Sequence, residues 1–180
     1  VDVGVTSQRF DIYFTEPWLF DIPLAAGFNA FRTRSSFNDY GYDKDGLGFR
    51  VFASYPIFPR TRLYGSYLYD DSEIDITNRS KASNNIKNLE GNNTTSSITG
   101  KLVYDSRNKP FNANRGSNHE AEIEYAGLGG DFTFTKTTLG TAWHFPVWGK
   151  LTGYWRGQGG WIDDRGRTPD YDKFFLGGPN

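Results

Sequence analysis

Apolar and polar side chains alternate with a period of two along nearly the whole chain, the spacing of a strand with one apolar and one polar face. The clearest run is His119–Tyr125, where Ala121, Ile123 and Tyr125 face one way and Glu120, Glu122 and Glu124 the other. Leu47–Ile57 repeats it, with Leu47, Phe49, Val51, Ala53, Tyr55 and Ile57 set against Gly48, Arg50, Phe52 and Ser54. Arg9–Thr15 sets Phe10, Ile12 and Phe14 against Arg9, Asp11, Tyr13 and Thr15, and Ile98–Asp105 sets Ile98, Gly100, Leu102 and Tyr104 against Thr99, Lys101, Val103 and Asp105. Further strands at Leu24–Arg34, Arg62–Ser72, Asp131–Phe145 and Lys150–Ile162 bring the total to about eight. No crossover helix separates them, so the pattern predicts an all-β antiparallel meander.

The connections alternate in kind. Glu16–Pro23, Phe58–Thr61, Ser106–Ser117 and Pro146–Gly149 are mostly short and rich in Pro, Trp and Phe. Ser35–Gly46, Glu73–Thr95 and Asp163–Asn180 are long and polar, while Gly127–Gly130 is short. The Asn-rich Glu73–Thr95 segment reads as a mobile loop. Tight turns on one rim and long loops on the other is the build of an outer-membrane β-barrel. Trp18, Phe20, Phe58, Phe111, Phe145 and Trp148 lie in or beside the short turns, where an aromatic girdle would meet a membrane interface. The polar faces, with Arg50, Lys101, Asp105, Glu120, Glu122, Glu124, Lys150, Arg156 and Gln158, would then line a watery lumen. In a soluble sandwich the same charges would form the solvated outer face.

Composition agrees with strands and narrows the chemistry. Aromatic residues make up 17% and there are 21 Gly in 180 residues, whereas only 37% is hydrophobic, too little for an ordinary packed core of this size. A net charge of −1 gives no basic field for nucleic acid. With no Cys, disulfides, thiolate catalysis and Cys-ligated zinc are excluded. There is no Met either, even at position 1, which reads as an excised or processed piece of about one domain. No apolar run approaches a membrane helix, and no signal peptide is visible.

No catalytic, cofactor or metal site stands out. His119 and His144 lie on different strands and read as solvent-facing or lumen-facing. The Glu120, Glu122 and Glu124 ladder reads as wall lining rather than a tuned acid–base pair. Asp43-Lys-Asp45-Gly46 lacks the later Glu of a calcium loop. Asn78-Arg-Ser80 and Asn92-Asn-Thr94 match a glycosylation pattern too common to weigh, and Gly127-Leu-Gly129-Gly130 opens no helix. The chain is expected not to be an enzyme.

One segment is more specific. Tyr104-Asp-Ser-Arg-Asn-Lys-Pro-Phe-Asn-Ala-Asn-Arg-Gly-Ser117 resembles the Asp-x-Arg…Pro-Phe…Arg-Gly-Ser turn of the BamA family, the outer-membrane insertases. Tyr125-Ala-Gly-Leu-Gly-Gly130 resembles that family's next loop, Thr15-Glu-Pro-Trp-Leu-Phe20 an earlier aromatic Pro turn, and Pro169-Asp-Tyr-Asp-Lys-Phe-Phe-Leu-Gly-Gly178 the start of its sixth extracellular loop. The four motifs occur in order over nearly the whole chain. The resemblance implies that residues 1–180 form part of a transmembrane barrel, similar to its fourth to eleventh strands, with no POTRA domain and neither seam strand. The structural motif residues carried over are Asp105, Arg107, Pro110, Phe111, Arg115, Gly116, Gly177 and Gly178. An ion pair between Asp105 and Arg107, buried across the turn, is expected to pin the register, with Gly116 relaxing the backbone.

The function implied is that of an outer-membrane protein assembly factor of the bacterial outer membrane, folding and inserting β-barrel proteins. Its partners would be outer-membrane lipid, unfolded outer-membrane protein clients and, through regions not in this chain, accessory assembly lipoproteins. A related polypeptide-translocating barrel would use the charged faces equally well. A soluble β-protein binding a flat ligand on Trp155 and Trp161 is the alternative outside membranes. Whether eight such strands stay open, pair with a copy or close on themselves is left undecided.

Overall fold

A computed structural model describes residues 5–167 and, within them, a single sheet of eight antiparallel strands in chain order. The strands are β1 (Val5–Glu16), β2 (Ala25–Phe37), β3 (Tyr42–Phe58), β4 (Thr61–Ile76), β5 (Gly91–Asp105), β6 (Gly116–Ala126), β7 (Thr133–Trp148) and β8 (Leu151–Arg167). Each pairs with its sequence neighbour, and no β1–β8 pairing closes the sheet, so both remain edges among the described residues. No second sheet packs on it there, which removes the sandwich alternative.

Register carries the period-two pattern unchanged from strand to strand. Phe14 lies opposite Phe28, Phe28 opposite Val51, Val51 opposite Tyr67, Tyr67 opposite Ile98 and Ile98 opposite Tyr125, all on one face. On the other face Asn29 lies opposite Arg50, and Lys101 opposite Glu122. The sheet curls toward this polar face: residues of β1, β3, β4, β5 and β6 share one cavity of about 650 Å³ there. The polar face is therefore concave and the apolar face convex.

Burial is inverted relative to a water-soluble domain. Among the described residues the buried apolar side chains are only Ile74, Ala82, Ile86, Leu89, Ala126, Phe132 and Phe134, while the long apolar rows of the convex face lie open. So large an exposed apolar surface is the mark of an interaction with lipid or another apolar partner. On β3 the band runs from Leu47 to Ile57, matching the roughly 9–11 residues with which a tilted strand crosses a bilayer. At the short-turn rim Phe20 is 81%, Phe111 86% and Trp148 88% exposed.

The short-turn rim is built from local backbone devices. Arg60 (φ 67°) and Gly149 (φ 58°) turn the β3–β4 and β7–β8 hairpins, and the register shifts beside Pro56 and Pro146 as those strands end. Proline cannot donate to a ladder, so a strand end beside a bulge suits it. Between β1 and β2 a 3₁₀ turn, Leu19–Asp21, places Phe20 and Asp21 at positive φ.

The opposite rim departs from expectation. Strand structure continues through most of Ser35–Gly46 and both ends of Glu73–Thr95, so the expected long loops shrink to residues 38–41 and 77–90. Nor is 77–90 a loose loop. Thr77 and Asn78 donate their amides to the Gly41 carbonyl (3.0 and 2.9 Å), and Ser83 caps the short helix α1 (Asn84–Lys87) by accepting from the Ile86 amide. Ala82, Ile86 and Leu89 then pack with Ile74, Ala126, Phe132 and Phe134, the small core of the described structure. Asn93 fastens the exit, its Nδ2 donating to the Leu89 and Gly91 carbonyls (2.7 and 2.9 Å).

Ile86→Ser combined with Leu89→Ser should free this cap without unfolding the sheet. Trypsin cleavage after Arg79, Lys81 and Lys87 is expected to accelerate by on the order of tenfold, while the strands stay protected. Unchanged cleavage would show that the small core does not hold the segment.

Candidate functional site

The concave wall and its short-turn rim bring the candidate residues together. At mid-height Lys101 Nζ lies 2.8 Å from Glu120 and 3.6 Å from Glu122, one cation shared by two carboxylates of the neighbouring strand. The arrangement depends on Gly140, opposite Glu120 on β7. A Cβ there would lie 2.7 Å from Glu120 Cγ and Oε1, so the missing side chain makes the space that Glu120 occupies. Glu124, one step higher, accepts from Ser97 Oγ at 2.8 Å. Arg50 lines the same cavity from the β3 side, and Arg156 donates to Gln158 at 3.3 Å on β8.

Near the β1 edge a second cluster forms on the same face. Arg9 binds Asp11 through two nitrogens (2.8 and 3.0 Å), and Asn29 adds a third donor to that carboxylate. The Arg9 guanidinium also stands 4.9 Å from the Phe31 ring centroid, a cation–π distance. Phe31 can lie flat because Gly48 sits opposite, where a Cβ would meet the ring at 2.6 Å. Nearly every charge on this wall thus has an opposite charge or a polar partner within the wall. Such a surface wets a lumen and holds its own side chains still.

The turn after β5 has a definite geometry. Arg107 binds Asp105 through Nε and Nη2 (3.0 and 2.7 Å), and the Arg107 amide donates to the same carboxylate at 3.0 Å. This bond holds the Arg107 guanidinium more firmly protonated than an isolated arginine. The pair is not buried across the turn, as the sequence suggested: both residues belong to the β5 side and are about a third exposed. The link between the two sides is made instead by Ser106 and Ser117, whose backbone and hydroxyl groups bond each other at 2.8–3.1 Å. Asn108 and Asn114 close a second layer at 2.7 Å, and Asn108 Oδ1 accepts from the Arg115 amide at 3.4 Å.

Gly116 is required by this closure. Its φ is +103°, and a Cβ would strike the Ser106 carbonyl oxygen and approach the Arg107 Cα to 2.8 Å. Pro110, Phe111 and Arg115 are exposed in the turn. Arg107 and Pro110 also border a polar cavity of about 580 Å³ at the foot of the wall, with His144, Tyr154 and Arg156. Gly177 and Gly178 lie outside the described residues.

Two sequence expectations fail in placement. His119 points to the convex face, against Tyr104 and Trp143 (5.9 and 5.1 Å between rings), with both nitrogens on hydroxyls of Thr141 and Ser117. His144 alone faces the concave side. Lys150 is not part of the wall but of the β7–β8 turn. Sequence reasoning also missed the cap over the upper wall. Ala82, Ile86 and Leu89, spaced four and three apart around the capping Ser83, were the signal for it.

Three comparisons place the chain among known proteins. A family model described as the Omp85 superfamily domain matches residues 1–180. The chain is similar in structure to BamA from Haemophilus ducreyi lacking POTRA domains 1–3, with a TM-score of 0.79 and 16% sequence identity over 96% of this chain. It spans 36% of that BamA chain, so the likeness is one of fold over about a third of its length. None of the curated proteins matches.

Gly116→Ala should cost about 1–3 kcal/mol of stability through backbone strain, read as a lower urea midpoint of the full-length protein in detergent. Lys101→Met should cost about 1 kcal/mol, discounted for partial exposure, by leaving two carboxylates unneutralised. Adding Glu120→Gln to Lys101→Met should recover part of that loss; no recovery would sink the shared-cation reading.

Proposed function

The chain belongs to the Omp85 superfamily, and from that premise we propose that it is the central wall of the transmembrane barrel of an outer-membrane protein assembly factor. In this reading it lies in the bacterial outer membrane and helps fold and insert β-barrel proteins there. Residues 1–180 correspond to the fourth to eleventh strands and the start of the sixth extracellular loop, with POTRA domains and the seam strands belonging to other parts of the protein. The observation that carries the reading is the sorted sheet: an exposed apolar convex band ringed by aromatics, backed by a self-neutralised polar concave wall.

The mechanism asks for no bond chemistry from this segment. A barrel of this kind lowers the barrier to insertion by perturbing lipid beside its seam and offering a strand edge to an incoming strand. The wall contributes stiffness, because each of its inner strands is hydrogen-bonded on both sides. Outer-membrane lipid covers its convex face. Unfolded outer-membrane protein clients engage the seam, and accessory assembly lipoproteins bind regions outside this chain.

A second reading, a polypeptide-translocating barrel, draws on the concave cavity with Arg9, Arg50, Lys101 and Glu122 on its walls. The two separate in one assay. The full-length protein is reconstituted into liposomes, and a urea-denatured β-barrel client is added from outside. An insertase accelerates the appearance of folded, membrane-embedded client; a translocator delivers it, protease-protected, to the liposome lumen. Arg50→Gln with Arg156→Gln should leave insertion within about twofold, as for exposed side chains that touch no client. Lumenal delivery without insertion would overturn the assembly-factor reading.

A further inference from the structure

The convex face carries one feature that a uniform lipid-facing band does not explain. Arg32 on β2 lies in the same cross-strand row as Phe10 and Leu47, the last apolar residues on the convex face of their strands toward the long-loop rim. One row higher, Arg34 lies between Gln8 and Asp45. Both arginines are well exposed, at 62% and 69%, on the side that would meet lipid. An arginine at the top of an apolar band has to satisfy its charge at headgroup level.

Asp45 orients both guanidiniums without saturating them. It takes Nε and Nη2 of Arg32 (3.3 and 3.1 Å) and Nη2 of Arg34 (3.1 Å). The two cations, held by one carboxylate, leave a net positive pair with further N–H donors available. They border a notch of about 290 Å³ whose other walls are Gln8 and Phe10. Directly below it, Phe10, Ile12 and Phe14 form a strip of exposed apolar side chains on β1. Of the other carboxylates on this face, Asp43, Asp71, Glu73 and Asp75 lie on the β3–β4 side, with Glu73 directly opposite Asp45, and Glu16 lies at the far, short-turn end of β1, so an anion is favoured from the β1 side of the notch.

We propose that this notch binds the phosphate group of a lipid in the leaflet at the long-loop rim, with that lipid's acyl chain lying along Phe10, Ile12 and Phe14. Paired arginines match a phosphate in charge and in donor geometry, and the apolar strip begins where an acyl chain would leave its headgroup. The site would fix the height of β1–β3 in the bilayer and retain one phosphorylated lipid beside the edge. The inference rests on the membrane reading above.

The test is native mass spectrometry of the full-length protein released from detergent micelles after titration with lipid A, a phosphorylated glycolipid. Wild-type protein should retain lipid A, and Arg32→Gln with Arg34→Gln should retain about tenfold less. Arg32→Lys with Arg34→Lys should recover part of the binding, and Arg79→Gln, an exposed arginine on the loop, should leave it unchanged. Phosphatidylcholine, whose phosphodiester is neutralised by its own choline, should be retained more weakly than lipid A, and inorganic phosphate at equal concentration should not compete, since the acyl strip contributes to binding. Equal retention by the double Gln variant, or an equal loss with Arg79→Gln, overturns the site while the membrane reading stands. A wild-type protein that stays monodisperse without detergent overturns both.

Discussion

Everything in this sheet follows from the need to satisfy backbone N–H and C=O groups where no water can reach them. In hydrocarbon an unpaired peptide group costs several kcal/mol, so a spanning sheet must have continuous ladders and no interruption at membrane depth. The six inner strands meet this by pairing with both sequence neighbours, while β1 and β8 each keep one open edge among the described residues, and the irregular pairings fall at the strand ends: Pro56–Phe58, Pro146–Trp148 and Thr133–Phe134. Neighbour pairing in turn forces hairpins. It also makes the side-chain period the one remaining variable, and that period divides the chain into a convex apolar face and a concave polar one.

The same constraint explains why the molecule has so little core. A sheet one layer thick cannot bury side chains against itself except where something folds over it. That happens at the long-loop rim, where Ile86 and Leu89 return onto Ile74 and Phe134. Below this cap the concave wall is held by polar contacts in place of packing. Gly140 and Gly48 make room for Glu120 and Phe31, so that ion pairs and a stacked guanidinium settle against the sheet surface. The wall is thereby ordered at the level of side chains without a hydrophobic interior.

How much of this could be read from the sequence follows from the same physics. All eight strands, their order and the face of nearly every named residue were legible, because lipid on one side and water on the other impose strict alternation. The upper strand ends were not. Beyond the apolar band Tyr42–Gly46 and Gly91–Ser97 carry polar residues on either side and lose the period, and Asn93, Thr95, Ser96 and Ser97 are buried there although polar. The cap was hidden by its own composition, three apolar residues among Asn, Ser and Lys. The Asp105–Arg107 pair was expected from its spacing, but two residues apart on one strand end can only make a local contact. The bridge across the turn came from Ser106 and Ser117, residues too common to signal it.

The charges of the concave wall are weak evidence for what passes through it. Period two obliges a membrane sheet to place polar groups inward, and those groups then find each other, as Lys101 finds Glu120 and Arg9 finds Asp11. A path for a moving polypeptide would be expected to leave charges unsatisfied and aligned along it, whereas these are paired in short clusters, Lys101 with two carboxylates of the next strand and Arg9 with Asp11 on its own. The rims carry more information. At the short-turn rim Gly116 and the serine pair lock β5 to β6, and at the opposite rim the cap and Gly41 lock the β2–β3 turn to residues 77–78. The inner strands of this wall, fastened at both rims and paired on both sides, are therefore a poor place for opening, whereas β1 and β8 each keep an open edge among the described residues.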